Sequence, residues 1–256
     1  MERAGLRGPV WILALGIGLA AGCGRSEAPL TVHCGAGIKP PVAEMISLFG
    51  KEHGIRIDAD YAGSEVLLSK IKLARAGDVY MPGDREYIEM AEKEGLILEH
   101  RPVCYFVPTI LVRKGNPRKI RTLQDLLQPG LRLGLGDPRA CAVGRQTRKI
   151  LEKNGIDRAA VEKNLVFQSM TVNDLGLQIQ AGSLDAVIVW DAVAAQYDRH
   201  GEAVPIPPEK NVISTVNAGV LVFAKDRERA RQFVASLVSD RGREVFRKHR
   251  YRVDPP

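Results

Sequence analysis

The feature that most constrains this chain is an alternation. From residue 30 onward, short apolar runs give way again and again to longer amphipathic stretches. "LTVHCG" (30–35) reads as a strand. "PPVAEMISLFGKEHG" (40–54) reads as a helix: prolines open it, Val42, Met45, Ile46 and Phe49 share a face, and Gly54 closes it. "IRIDADY" alternates in the manner of a strand, and a helix opened by Ser64 runs to about Arg75, before Gly77. "DVYM" (78–81) and "DREYIEMAEKEG" (84–95) repeat the pair. An order of β-α-β-α-β-α implies a mostly parallel sheet with helices on both faces.

The pattern then restarts. "TILVRKGNP" reads as a strand and turn, "LRLGLGDP" (131–138) as a strand, and "RQTRKILEKNG" as a helix. "LVFQS" (165–169), a helix from about Val172 to Ala181, "DAVIVW" (185–190) and "DAVAAQYDRHG" continue it. A strand at "NAGVLVFAKD" (217–226) and two helices, "RERARQFVASLVS" and "GREVFRKHRY", finish the chain. The fold class expected is α/β, with two β/α lobes and a ligand cleft at the C-terminal ends of their strands.

The first 22 residues are of another kind. Arg3 and Arg7 precede the apolar run "VWILALGIGLAAG" (10–22), which is shorter than the roughly 20 residues a membrane span needs. It fits a secretory signal, and "LAAGC" resembles a bacterial lipobox that would make Cys23 the acylated N-terminus. An exported protein tethered by lipid is the expectation. The remaining cysteines, Cys34, Cys104 and Cys141, are odd in number, and the sequence does not choose a pair. Free thiols, or a bond involving Cys104, are favoured over a Cys34–Cys141 bridge, because the last two lie in turns of different lobes. The net charge of +7 is spread along the chain and aromatics make up 5% of it, so no nucleic-acid reading surface is expected. No GxSxG elbow, HExxH or phosphate-binding loop occurs, and the five histidines (33, 53, 100, 200 and 249) form no catalytic order, so an enzyme is the minor reading.

Four strand-to-helix turns could carry chemistry. They are "CGAGIKPP" (34–41), "AGSE" (62–65), "GDPRACAVGR" (136–145), and the combination of "SMTVND" with "VWDAV". Each exposes first-turn N–H groups, which suit an anion. Glu65 beside one of them is the anomaly, since a carboxylate repels a dianion in a cleft of low dielectric. It is expected to turn away or toward Arg145; the alternative is a proton acceptor for a phosphate-like ligand, with Asp191 a second candidate for that role.

The segments "YAGSEVLLSKI", "GDVYMPGD", "KEGLI", "LGDPRACAVGRQTRKILEKNG", "DAVIVWDAVA" and "GREVFRKHRY" resemble the molybdate-binding proteins of ABC transporters, a family of two-lobed periplasmic receptors. The resemblance covers most of the chain after the leader. It implies neutral donors to a tetrahedral oxyanion at Gly37, Ser64, Val143, Val172 and Trp190, with Ala36, Gly63, Arg145, Asn173 and Asp191 as further candidates. Two positions depart from the family: Gly37 stands where a serine is frequent, and Trp190 where a tyrosine is usual. The implied layout is a leader (1–22), a tether (23–29), lobe 1 (30–108 and 218–256) and lobe 2 (109–217). The hinge would be crossed near 103–112 and 212–222. The implied function is capture of molybdate or tungstate by hinge closure, as a monomer without a cofactor, and delivery to a permease in the inner membrane. Phosphate, sulfate or ferric iron is the alternative cargo, with Tyr61 and Tyr105 available for iron.

Overall fold

The computed structural model describes Met1 and residues 28–256, so the expected leader and Cys23 lie outside the described residues. The chain first lays down β1 (Leu30–Gly35), α1 (Lys39–His53), β2 (Ile57–Ala62), α2 (Ser64–Ala74), β3 (Val79–Met81), α3 (Arg85–Lys93) and β4 (Ile97–Phe106). After Val107 it crosses to a second sheet with β5 (Pro108–Arg113), β6 (Leu133–Gly136), α4 (Ala142–Lys153), α5 (Arg158–Glu162), β7 (Leu165–Ser169), α6 (Val172–Gln180), β8 (Ala186–Trp190), α7 (Asp191–Ala194) and β9 (Gly201–Pro205). It returns through residues 206–213 to β10 (Ser214–Leu221) and ends in α8 (Arg227–Val238) and α9 (Asp240–Lys248).

The sheet orders are β2-β1-β3-β10-β4 and β7-β6-β8-β5-β9. In the first, β1 pairs in parallel with β2 and β3, while β10 is antiparallel to both β3 and β4. The second repeats this plan, with β5 antiparallel to β8 and β9. Each lobe is therefore an α/β unit with one reversed strand, and that strand is the one entered after crossing from the other lobe. The expected α/β fold with mostly parallel strands is what the protein has.

Local chemistry accounts for most element ends. Val42, Met45 and Phe49 of α1 are buried, Ile46 half-buried beside them, and Gly54 takes the left-handed conformation (φ 65°) that closes the helix. Asp84 caps α3 by accepting from the Glu86 N–H at 2.8 Å, and Thr171 caps α6 through Asp174. All five residues of β8, inside the second sheet, are buried, in keeping with its unbroken apolar sequence.

Three parts differ from the sequence expectation. The long strand β4 was not foreseen, because Pro102 and the charged residues before it argue against one. It survives as an edge strand, with the register shifting between Val216 and Asn217 where Pro102 falls, so no ladder donor is missed. The helix expected over 191–201 is one α-turn followed by a 3-10 turn, Ala195–Tyr197. The second crossing falls at 206–213, and β10 runs through the 217/218 boundary while pairing wholly within the first sheet. Among the described residues no helix is long and apolar enough to cross a membrane.

Candidate functional site

The C-terminal ends of the central strands face one another across a small cavity. From the first lobe come the turns after β1, β2 and β3. Gly63 ends the second of these turns and precedes α2. A Cβ built there would fall 2.5 Å from the Ala140 carbonyl oxygen and 2.6 Å from that of Met170, both in the other lobe. Only glycine lets these backbones approach. Two residues on, the Glu65 N–H donates to the Ala140 carbonyl at 3.2 Å, so this donor holds the opposite lobe rather than facing the cavity. Ser64 is buried. Its Oγ accepts from the Gly83 N–H at 3.0 Å, which leaves the hydroxyl proton free to donate into the cavity, while Tyr80 holds the Ser64 carbonyl at 2.8 Å.

The second lobe contributes first-turn residues. Val143 lies at the start of α4 and Val172 at the start of α6, where backbone N–H groups have no intrahelical acceptor. Cys141, just before α4, also lines the cavity and points its thiol at the Ser169 carbonyl, 3.7 Å away. Burial pushes that thiol up to about 11, so it stays neutral. Trp190 closes one side. It is 2% exposed and stacks on Phe106 with ring centroids 4.6 Å apart and planes 10° apart. Among the described residues its indole N–H has no hydrogen-bond partner. All three described cysteines are free and buried.

Of the ten candidate positions, Ala36, Gly37, Gly63, Ser64, Val143, Val172 and Trp190 line this cavity. Arg145, Asn173 and Asp191 do not. The Arg145 guanidinium meets Glu86 of the first lobe at 3.3 Å and lies over the Tyr87 ring, 5.0 Å from its centroid. Asp191 pairs with Arg252 at 2.7 Å. The Asn173 carbonyl accepts from the Tyr197 hydroxyl. Glu65 is half-buried and its carboxylate has no hydrogen bond or ion pair among the described residues; the Arg145 partner expected for it is taken by Glu86. Tyr61 and Tyr105, weighed as iron ligands, lie outside the cavity wall, and among the described residues no three His, Cys, Asp or Glu side chains gather as metal ligands. Gly35, Ile38, Ala62, Cys141, Ala142 and Thr171 also line the cavity from within the four turns, and the turns missed only Gly83 and Phe106. Gly83 follows the third strand and could have been found by treating that turn like the first two; Phe106 sits on the unforeseen β4.

Every residue lining the cavity is uncharged, and four longer helices (α1, α2, α4, α6) start at its edge. Oriented N–H and O–H donors with no carboxylate among them form a receptacle for an anion. Residues 30–252 match the bacterial extracellular solute-binding proteins. The chain belongs to that family. The resemblance read from the sequence also holds: the molybdate-binding protein ModA of Mycobacterium bovis is 28% identical over 195 residues, covering 75% of this chain and 72% of the relative. The fold is shared with the periplasmic molybdate-binding protein of Azotobacter vinelandii (TM-score 0.75, 16% identity, 89% of this chain and all of that one). It is shared equally with the sulfate-binding protein SubI of Mycobacterium tuberculosis (TM-score 0.78, 16% identity, 89% and 88%). In this solute-binding protein the rim outside the cavity is charged in a complementary way. Glu86 takes both Arg145 and Lys149 from the second lobe, and the Asp84 carboxylate accepts from Gln146 as well as from Ser214.

Proposed function

We propose that this protein captures a fully deprotonated tetrahedral oxyanion, molybdate or tungstate, between its lobes and delivers it to an ABC permease. The observation that carries this reading is the uncharged cavity wall. An ion that carries a proton, such as hydrogen phosphate, needs an acceptor, and neither Glu65 nor Asp191 lines the cavity. A dianion without a proton needs donors alone, and the Ser64 hydroxyl, the Trp190 indole and the first-turn N–H groups of Val143 and Val172 are donors. Moving a dianion out of water is costly. Several dipolar donors fixed in advance offset that cost without a countercharge that would have to be desolvated as well. Donors come from both lobes, so the anion binds best when they are together, and binding draws the hinge shut. An acylated Cys23 would keep the receptor, working as a monomer, near its permease at the membrane.

Sulfate is the second reading. It is also a dianion without a proton, and the fold is shared with a sulfate-binding protein. Size separates the two, because shorter bonds would leave some donors unsatisfied. Trp190 and Trp11 are the two tryptophans of the chain, so after removal of the leader Trp190 alone reports on the cavity. Its fluorescence, followed while the processed protein is titrated with molybdate, tungstate, sulfate and phosphate, should respond to the first two. A response to sulfate alone would transfer the assignment to sulfate, and a response to none of the four would sink the oxyanion reading.

A further inference from the structure

One buried carboxylate joins the hinge to both sides of the cavity. Asp84 directly follows Gly83, which lines the cavity, and is 5% exposed. One of its oxygens caps α3 by accepting from the Glu86 N–H at 2.8 Å. The other accepts from the Ser214 hydroxyl at 2.7 Å and from the side-chain amide of Gln146. Ser214 opens β10, where the chain returns from the second crossing, and Gln146 lies on α4 of the other lobe, three residues past Val143. Both are buried. The Gln146 Oε1 has no hydrogen-bond partner among the described residues, so Asp84 alone holds this side chain. The far end of α4 is tied to the second crossing: Lys153 donates to the Asn211 carbonyl at 2.7 Å, and the Asn154 amide to the Lys210 carbonyl at 2.8 Å. The Asn211 amide in turn donates to the Pro108 carbonyl at 2.8 Å, where the first crossing ends. Thus α4 is fixed to the hinge at one end and to the first lobe near the other, with Val143 at the cavity between them and the anion.

We propose that Asp84 is a closure latch, whose bond to Gln146 forms when the lobes meet and sets the share of the receptor that stands closed before the anion arrives. A hydrogen bond to a carboxylate shielded from water is stronger than a neutral one. The partly exposed pairs of Glu86 with Arg145 and Lys149 are the weaker contact between the same two helices. Apparent affinity scales with the closed share. Asp84 does not line the cavity and acts through α4 as a positioning residue that holds the Val143 N–H in place. The latch deepens the oxyanion reading and rests on it for the ion that measures affinity.

The test compares the processed wild type, Gln146→Glu and the double variant Gln146→Glu/Asp84→Asn by calorimetric titration with molybdate and by small-angle scattering. Gln146→Glu sets two carboxylates face to face across the lobes. It should bind molybdate about tenfold more weakly or worse, and show a larger radius of gyration without anion. At saturating molybdate its radius should match that of wild type, which a damaged fold would not do. Adding Asp84→Asn supplies an amide donor to the new carboxylate and keeps a good helix cap. The double variant should return to within about threefold of wild-type affinity and to the wild-type radius. Wild-type behaviour in Gln146→Glu, a loss that Asp84→Asn does not relieve, or a larger radius that persists at saturation would overturn the latch. If melting curves show that Gln146→Glu does not fold, Ser214→Ala takes its place; a larger anion-free radius is expected, and an unchanged one overturns the latch. A wild type silent toward molybdate would overturn the oxyanion reading, and the anion-free radii would then decide the latch by themselves.

Discussion

The two lobes are built on one plan yet face the cavity differently. Each sheet has three parallel strands, one reversed strand entered from the other lobe, and an outer strand beyond it. At the cavity, the first lobe presents mostly small residues, among them Gly35, Gly37, Gly63 and Gly83, beside Ile38 and Phe106, with Ser64 as its one hydroxyl. The second lobe presents what fills those hollows. Val172 and Trp190 approach Gly37, the Ala140 and Met170 carbonyls approach Gly63, and Ala142 faces Gly83. Equal topology thus supports unequal roles, with a smooth half that receives and a half that protrudes. Closure depends on the absence of Cβ atoms as much as on the presence of donors.

The sharpest way to break this complementarity is Gly63→Ala. Its methyl group would sit within 2.6 Å of two carbonyl oxygens of the opposite lobe, and backbone cannot rotate aside as a long side chain can. Overpacking of this kind costs about 3 kcal/mol, or about two decades in affinity. The loss should appear in titrations with molybdate, while the ligand-free melting temperature stays near wild type because the clash exists only between closed lobes. Wild-type affinity in this variant would mean that the lobes do not meet here when the anion is bound. The next effect is that of Ser64→Ala, which removes a donor and leaves the Gly83 N–H without its acceptor. Binding should weaken by about 1–3 kcal/mol, as for losing a hydrogen bond to a charged group. Unchanged affinity in the same titration would take Ser64 out of the site.

This division of roles was partly legible in the sequence. The turns after β1 and β2 announced themselves through Gly35, Gly37, Gly63 and Ser64, because a glycine or serine before an amphipathic run is a local signal. Val143 and Val172 could be placed only through the family resemblance, since a valine at a helix start carries no mark of function. Phe106 and Tyr251 were beyond reach: one lines the cavity from a strand disguised by Pro102, and the other, in a tail after the last helix, donates its hydroxyl to the Gly37 carbonyl. The same reason hid the Glu86 pairs. A carboxylate in the first turn of α3 looks like a helix-dipole residue, and nothing local reveals the cations that approach from α4.

Those rim charges offer a milder test of the lobe comparison. Glu86 lies on the first lobe and its cations, Arg145 and Lys149, on the second; beyond β8 the signs reverse, with Arg250 and Arg252 meeting Asp198 and Asp191. These side chains are a quarter or more exposed in most cases, so each pair contributes about 1 kcal/mol or less. Glu86→Gln should therefore lower anion affinity by about threefold to fivefold in dilute buffer. The difference from wild type should shrink as salt rises, because screening weakens the pair in the wild type alone. A salt-independent gap would point instead to lost packing at Glu86.

The smallest expected effect is none at all, and it tests the claim that the cavity wall is neutral. The one titratable side chain that lines the cavity is Cys141, whose thiol burial raises to about 11. Folding favours the protonated thiol, so this stabilising contribution is fully present below the ordinary thiol range and is lost as pH rises through about 11. Between about pH 6 and about pH 8 the wall does not change charge, and molybdate affinity should be flat there. It should fall only at strongly alkaline pH, where a thiolate would stand beside the anion, and Cys141→Ser should remove that fall. A slope on the acid side would have a different origin. Among the residues near the site, Glu65 is the carboxylate without a partner, so Glu65→Gln would be the variant to flatten such a slope. If it did, the carboxylate beside the α2 turn would be acting on the bound ion after all, and the neutral-wall account would fail.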